Sequence, residues 1–386
     1  MSDVIKRARL RHNTSTQEIL HPETEWAQLV DGNESVDKRV KTFYVPVVGD
    51  YFYRPKLLGV SKTTITVWAG TRFVVNGRYY EVTEDTSVAL PSGTINGKDV
   101  YLYACENPDA TSTTPVFVTS LNSTYPNGYT AATSRKIGGV HCLCVAVGTI
   151  SGHPLSGYAA GNILPASVWD LAFRAVAGNE GMVYCEALDL WVDIYLASVS
   201  GSGLASIYNA TTADGGNSHA WWNFVEKFSV VKKRLPWQHE FAIFALGSNQ
   251  GTNVQGSNDK GTAGGYVDKD GRRMISNIGC ESCCGFLWQW ANDTGDHCRY
   301  NNESDKPETL AAARTWKSTT VSGESDSKGQ SYQDPGRAIL GGAWVSGACC
   351  GSRSSSWAYG SLDLHGSRGA RGVCAVRRGA GGSPAD

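Results

Sequence analysis

Residues 341–374 read GGAWVSGACCGSRSSSWAYGSLDLHGSRGARGVC, and two kinds of position are interleaved in them. Glycine and tryptophan recur as a frame, because glycine permits close backbone approach and large rings can be wedged into a core. Two arginines follow Gly351 and Gly369 at a distance of two positions. We predict that the scaffold of this block consists of Gly341, Gly342, Trp344, Gly351, Arg353, Trp357, Gly369 and Arg371.

The interleaved side chains share no property and no period. Small, polar, aromatic and charged types are mixed, as expected where a rigid frame holds exchangeable contact residues. We predict that these residues form a ligand-binding surface, with aromatic and charged members as the main contacts. The eleven positions are Ala343, Val345, Ser346, Cys349, Ser356, Ala358, Tyr359, Asp363, His365, Ser367 and Arg368. The alternative is an ordinary irregular segment that closes a β-sheet.

Two segments upstream of this block carry further aromatic and glycine motifs, in a fixed order along the chain. Residues 168–195 contain Val-Trp-Asp-Leu-Ala-Phe-Arg and Leu-Trp-Val-Asp-Ile-Tyr, and residues 270–290 end in Gly-Phe-Leu-Trp-Gln-Trp. With residues 337–374, this ordered trio resembles the formylglycine-generating-enzyme type of C-type lectin fold, over about residues 165–378. The last segment is similar to the variable proteins of diversity-generating retroelements, including phage tropism determinants.

The resemblance implies an α+β chain whose C-terminal C-type-lectin-like domain has long loops. It implies a receptor-binding protein at a virion tail fibre tip, with a host-surface protein or glycan as ligand, and a homotrimer if its assembly follows that of tropism determinants. In that family, adenines of asparagine codons are miscopied, which cannot yield Trp, Met, Lys, Glu or Gln, and none of the eleven residues is one of these five. Two alternatives stay open: a copper oxidase of the formylglycine-generating type, and a lectin-like virion module without diversification.

The first half predicts a small all-β domain at residues 46–150. Short β-branched or alternating runs end at turn residues, and Asn76-Gly77 supplies the positive φ angles of a tight hairpin. The predicted strands are Thr63–Trp68, Arg72–Val75, Arg78–Val82, Val100–Ala104, Pro115–Thr119 and His141–Val147. Residues 1–45 are polar and are predicted to attach the chain to other virion proteins, with a short helix at Glu23–Leu29; the alternative is a frayed terminus.

Residues 151–164 are rich in Gly, Pro and Ser and predict a linker before the lectin-like domain at 165–386. In that domain the sequence predicts helices at 219–233 and 307–316. Strands are predicted at Glu240–Phe244 and Phe286–Trp290, and long loops at 247–265 and 318–333.

Composition narrows the possible partners. Lys plus Arg total 35 against 36 acidic residues, so charge gives no reason to expect nucleic acid as a partner. No run approaches the roughly 18 apolar residues of a membrane span. The charged start lacks an apolar signal core, so we expect cytoplasmic synthesis without a signal peptide. The 11 cysteines are then expected to be thiols.

Three candidates for chemistry are weaker, and we expect neither a catalytic residue nor a metal or cofactor. Cys280, Cys283 and Cys284 with His297-Cys298 have a spacing suited to zinc, but adjacent ligands strain a tetrahedral site. The oxidase relatives use two close but separated cysteines near the C-terminus, whereas Cys349 and Cys350 are adjacent here. Asp268–Gly271 lacks the glutamate that an EF-hand calcium loop needs.

Overall fold

A computed structural model describes residues 58–295, 316–318, 330–332 and 336–378. The predicted attachment segment 1–45, with its helix at Glu23–Leu29, lies outside the described residues. So does most of the helix predicted at 307–316; its last residue, Trp316, begins a strand instead.

The first half forms short antiparallel strands. Its strands are β1 (Leu58–Val60), β2 (Thr64–Val67), β3 (Arg72–Val75), β4 (Arg78–Glu81), β5 (Thr86–Ala89), β6 (Asp99–Cys105), β7 (Val116–Ser120), β8 (Ser134–His141) and β9 (Trp169–Asp170). They form a sheet in the order β1-β2-β5, the hairpin β3-β4 and a sheet in the order β7-β6-β8-β9. The hairpin at Asn76-Gly77 is confirmed, since both residues have positive φ and Val75 pairs with Arg78.

The strand predicted at His141–Val147 is wrong, because β8 ends at His141. Cys142 makes an isolated bridge to Ile163, and the chain then continues without strand pairing. Leu143 and Val147 are nevertheless buried in the main core. The apolar run therefore signalled burial rather than strand geometry.

The second half builds further sheets around one core. Its strands are β10 (Phe173–Ala175), β11 (Met182–Cys185), β12 (Leu190–Asp193), β13 (Ala197–Ser200), β14 (Gly203–Ser206), β15 (Trp288–Gly295), β16 (Trp316–Ser318), β17 (Gln330–Tyr332), β18 (Gly336–Leu340), β19 (Ser355–Tyr359), β20 (Arg368–Gly369) and β21 (Val373–Arg378). The four-stranded sheets have the orders β10-β21-β12-β11 and β19-β18-β15-β20, and β13-β14 and β16-β17 are hairpins. The strand predicted at Phe286–Trp290 is confirmed from Trp288 onward.

The described residues contain two α-helices. Helix α1 (Trp221–Val230) confirms the prediction at 219–233 with closer bounds, and Phe224 and Phe228 are buried one turn apart. Helix α2 (Gln238–Phe244) shows that the strand predicted at Glu240–Phe244 is wrong. The Glu240 carboxylate accepts the Trp237 N–H at 2.8 Å, which satisfies a free donor at the helix start. In so short a segment, periodicity does not separate helix from strand.

The main core draws on both halves of the chain. Leu155 and Leu164, from the predicted linker 151–164, are buried in it beside Phe241 and Phe286. The domain boundaries at 46–150, 151–164 and 165–386 stay a prediction. The α+β character with long loops is confirmed: residues 247–265 run without a helix or long strand, yet Asn253 and Val254 are buried. No helix of the described residues is long and apolar enough to cross a membrane.

Candidate functional site

The block at residues 341–374 is built into the sheet β19-β18-β15-β20. It leaves the end of β18, forms β19 and β20, and enters β21. Strand β18 pairs antiparallel with β15 and β19, and β20 pairs in parallel with Trp288 and Gln289 of β15. Strands β18, β19 and β20 of one sheet thus hold both ends of the loops 341–354 and 360–367.

The two glycines that open the block occupy positions that no other residue fits without strain. Gly341 and Gly342 both have φ of +88°, in the left-handed region. A Cβ on Gly341 would lie 2.4 Å from the Cys283 carbonyl oxygen, and one on Gly342 would lie 2.8 Å from the Cys350 Sγ. Their carbonyl oxygens both accept the Gly285 N–H, at 3.1 Å. The structure therefore places both residues in the frame.

The loop after the two glycines is fastened mainly through its backbone. The Trp344 N–H donates to the Phe286 carbonyl at 2.9 Å, and the Trp344 carbonyl accepts the Asn253 side-chain amide. Gln250 Oε1 accepts the Ser352 N–H at 3.1 Å and would be 2.7 Å from a Cβ on Gly351. The sequence analysis missed Gln250 and Asn253, which lie in the long loop 247–265 and carry no motif.

Arg371 is the buried anchor of the frame. Its side chain is fully buried. The guanidinium donates to the carbonyls of Asp193 (2.6 Å), Ile194 and Glu281, and its Nε donates to Gln289 Oε1 at 3.1 Å. One side chain thus joins the end of β12, the turn at Glu281 and strand β15.

The other predicted frame residues divide into two groups. Gly351 and Gly369 are buried, and Trp344 and Trp357 are half-buried against the main core. The Trp357 ring covers Gly295, where a Cβ would approach it to 2.6 Å. Arg353, in contrast, is exposed, so the structure places it on the surface rather than in the frame.

The eleven predicted contact positions fall into three classes of exposure. The exposed ones are Val345, Cys349, Ala358 and His365; the half-buried ones are Ser346, Ser356, Tyr359 and Asp363; the buried ones are Ala343, Ser367 and Arg368. Ala343 is completely buried and cannot reach a ligand. The sequence analysis did not include Ala348 and Leu364, which are exposed in the same block.

Several of these polar side chains also shape their own loops. Ser346 Oγ accepts the Ala343 N–H at 3.0 Å, and Asp363 Oδ2 accepts the Gly360 N–H at 2.8 Å. His365 Nδ1 lies 2.7 Å from Ser367 Oγ and accepts the Ser367 N–H at 3.2 Å. Such local bonds fix turns and keep the loops in one conformation.

The cysteines of the block differ in access and acidity. Cys349 is exposed, whereas Cys350 is buried with its Sγ 3.6 Å from the Ala343 carbonyl oxygen. Burial raises the pKa of Cys350 to about 11. Cys374 packs in the cluster around Trp191, and burial raises its pKa too. Both buried groups are therefore neutral thiols at neutral pH.

This difference predicts selective labelling of the native protein. With iodoacetamide at pH 8, we expect Cys349 to be the cysteine alkylated among those in the described residues, because Cys350 is both enclosed and protonated. Peptide mass spectrometry of the labelled chain measures this. The variant Cys349→Ser is the control and is expected to lose that label. Labelling of Cys350 at a similar rate would contradict the burial described here.

The other candidates for chemistry have structural partners. Cys280, Cys283 and Cys284 are fully buried, and burial raises the pKa of the Cys284 thiol well above its ordinary value. The Asp268 carboxylate accepts N–H bonds from Asp270 and Arg272 and the Thr252 hydroxyl. Within the described ranges, no group of three or more His, Cys, Asp or Glu side chains is placed to hold a metal. His297 and Cys298 lie outside these ranges.

Three comparisons show which known proteins this chain is similar to. The family model "Mtd second domain" matches residues 56–170. A tail fiber receptor-binding protein of Bordetella phage BPP-1 is 30% identical over 334 residues, which cover 81% of this chain and 79% of the relative.

Among solved structures, the Major Tropism Determinant U1 and M1 variants each superpose with a TM-score of 0.67 at 29% identity, covering 83% of both chains. The P3c variant gives the same TM-score at 28% identity. The resemblance to tropism determinants and the lectin-like fold class are therefore confirmed. The chain belongs to the family of phage tail fibre receptor-binding proteins that comprises the major tropism determinants.

Proposed function

We propose that this chain is the receptor-binding protein of a phage tail fibre and that the exposed side chains of residues 341–374 contact the host surface. The proposal rests on one observation: within residues 341–374, buried residues fix the backbone while other side chains are exposed. Buried Arg371, the left-handed glycines and backbone bonds to Asn253 and Gln250 fix the chain path. Side chains such as Val345 and Ala358 protrude from it.

The proposed contact set follows the exposure of each residue. It consists of Val345, Ala348, Cys349, Arg353, Ala358, Leu364 and His365, with the half-buried Ser346, Ser356, Tyr359 and Asp363 and the stacked Arg368 at its margin. Ala343 is left out because it is completely buried, and Ser367 because it is buried with its Oγ bonded to His365 Nδ1. Arg368 is also buried but is kept because no hydrogen bond of its guanidinium is found in the described residues. Changes at protruding positions alter affinity at little cost in stability, since surface substitutions usually stay within about 0.5 kcal/mol.

We further propose that the block is diversified by a retroelement. The support is the separability of its exposed positions from its frame, together with membership of the tropism-determinant family. Sequencing the flanking DNA tests this. We expect a near-copy of the codons for Gly341–Cys374, with adenines at the exchanged positions, beside a reverse transcriptase gene. Absence of both would leave a lectin-like receptor-binding protein without diversification.

The role in the virion follows from the same family. We propose a homotrimer at the tail fibre tip, attached to other virion proteins through residues 1–45, because several weak sites on one particle raise avidity. We propose binding without catalysis. A copper oxidase of the formylglycine-generating type is less well supported, since Cys349 is exposed while Cys350 is enclosed beside Ala343 and Gly342.

A matched pair of alanines tests the receptor-binding surface. In phage carrying the variant chain, Ala358→Arg is expected to reduce adsorption to the host at least about tenfold, since a bulky charge would disrupt a contact worth about 1.4 kcal/mol or more. Ala89→Arg is the control, because Ala89 is also exposed in a strand but lies in β5. Adsorption rates and thermal unfolding of both variants measure the effect. Equal adsorption by both variants would overturn this placement of the receptor site.

A further inference from the structure

Arg368 occupies an unusual position for a cation at the edge of a binding surface. It begins β20, beside Trp288 of β15, and the residue is only 8% exposed. Its guanidinium carbon lies 3.6 Å from the centroid of the Tyr359 ring and 5.8 Å from that of Trp290. The shorter distance is van der Waals contact, so the guanidinium stacks on the half-buried Tyr359.

The chain supplies no counter-charge to Arg368 within the described residues. The ion pairs found there all involve other cations. Asp363 is the single acidic residue of the block, and its carboxylate caps the Gly360 N–H instead. An enclosed charge without a partner is costly, and stacking on an aromatic ring offsets part of that cost. The arrangement therefore favours an anion supplied from outside.

The residues around Arg368 and Tyr359 add further positive charge. Arg337 pairs directly with Tyr359 across β18 and β19, so both side chains project from the same face of the sheet. The Arg337 guanidinium carbon lies 4.1 Å from the centroid of the Trp221 ring. The block itself contains three arginines against one aspartate. Of these arginines, Arg371 is used inside the frame by carbonyl oxygens.

We propose that Arg368, stacked on Tyr359, binds the carboxylate of an acidic side chain on a protein receptor. This deepens the receptor-binding function proposed above and rests on it. The planar guanidinium presents a fork of N–H donors that matches a carboxylate in two parallel hydrogen bonds. Stacking on Tyr359 uses the face of the guanidinium, and its nitrogens are not among the fully enclosed atoms of the described residues, so its edge is left to make them. Leu364 is 54% exposed and Ala358 is also exposed, so the same block offers apolar contact for a protein surface.

The first experiment uses a small probe on the full chain. N-acetylglutamate methylamide, which carries a side-chain carboxylate alone, is titrated at pH 7 while the Nε–Hε resonance of Arg368 is followed by NMR. We expect a saturable shift of that resonance. N-acetylglutamine methylamide, its uncharged match, is expected to produce none. No shift with the carboxylate, or equal shifts with both probes, would overturn the proposal.

Variants separate a specific site from general charge attraction. Arg368→Gln is expected to abolish binding of the probe, and Arg368→Lys to weaken it about tenfold, because lysine keeps the charge but lacks the fork. Arg377→Gln removes one charge from an exposed position of β21, outside the block and the proposed contact set, and is expected to leave binding unchanged. Equal losses in Arg377→Gln and Arg368→Gln overturn the proposal. Thermal unfolding shows whether each variant is folded. If a variant is not folded, the titration of the unmodified chain with the two probes still tests the proposal.

Two further measurements show whether the bound carboxylate belongs to a protein or a sugar, and whether a negative result concerns Arg368 alone or the whole receptor site. N-acetylneuraminate carries its carboxylate on a sugar, and tighter binding of this probe than of the glutamate derivative would overturn a protein source. Phage adsorption that is lost in Ala358→Arg but unchanged in Arg368→Gln would overturn the role of Arg368 alone. Adsorption unchanged in both variants would overturn the proposed receptor site itself.

Discussion

Arg371→Met is expected to lower the free energy of unfolding by about 3–5 kcal/mol, the usual cost of breaking a buried charged network. The change removes the guanidinium but keeps an apolar side chain of similar length. The carbonyls of Asp193, Ile194 and Glu281, with Gln289 Oε1, would each lose a donor. An unsatisfied buried acceptor costs about 1–3 kcal/mol. The loss is a large fraction of the roughly 5–15 kcal/mol that stabilises a typical domain.

Denaturant unfolding of the purified chain, followed by tryptophan fluorescence, measures this loss. Arg353→Met is the matched control: it makes the same chemical change in the same block, but at an exposed side chain. We expect it to stay within about 0.5 kcal/mol of the unmodified chain. Arg371→Lys is expected to fall between the two, since one ammonium cannot reach all the acceptors. Similar stabilities for Arg371→Met and Arg353→Met would contradict the anchoring role.

Gly341→Ala is the second change with a large expected effect, a loss of about 3 kcal/mol or more from backbone strain and overpacking together. Its φ of +88° disfavours any side chain, and the new Cβ would lie 2.4 Å from the Cys283 carbonyl oxygen. That oxygen cannot move easily, because it also accepts the Gln289 side-chain amide at 2.9 Å. Main-chain atoms on both sides would have to shift.

Gly347→Ala provides the comparison. Gly347 also has positive φ, +52°, but nothing lies within 4 Å of the position its Cβ would take. Only the left-handed strain remains, at about 1–2 kcal/mol. Denaturant unfolding of both variants measures the difference between them. If Gly341→Ala costs no more than Gly347→Ala, the close approach to Cys283 has no energetic consequence.

Local chemistry made part of the fold predictable. The Asn76-Gly77 hairpin was predictable because two positive φ angles in succession demand such residues. The short segment at Gln238–Phe244 was not, because its buried apolar residues fit either a strand or a helix turn. What decides for a helix is the Glu240 carboxylate on the Trp237 N–H, which is a three-dimensional contact.

The site was predictable as a block but not residue by residue. Arg353 and Arg371 each stand two positions after a glycine, yet one is exposed and the other is fully buried. No local sequence pattern distinguishes the two arginines. Arg371 is buried because the end of strand β12 and the turn at Glu281, which are distant in sequence, bring backbone carbonyls together around its guanidinium. Ala343 likewise belongs to the core although its neighbour Val345 is 70% exposed. Gln250 and Asn253 act from about a hundred positions upstream.

The loop after Gly341 is held by hydrogen bonds to its own backbone N–H and carbonyl groups, which a substitution of its side chains does not remove. Asn253 holds the Trp344 carbonyl, Gln250 holds the Ser352 N–H, and the Cys350 carbonyl accepts the Gly251 N–H at 2.7 Å. These hydrogen bonds to the loop backbone do not depend on which side chains occupy positions 345 and 348. Several such positions can therefore change at once with nearly additive effects, since none shares a partner with another. The number of workable sequences then grows as a product over positions, which gives a phage population a large repertoire at a stability cost that stays small.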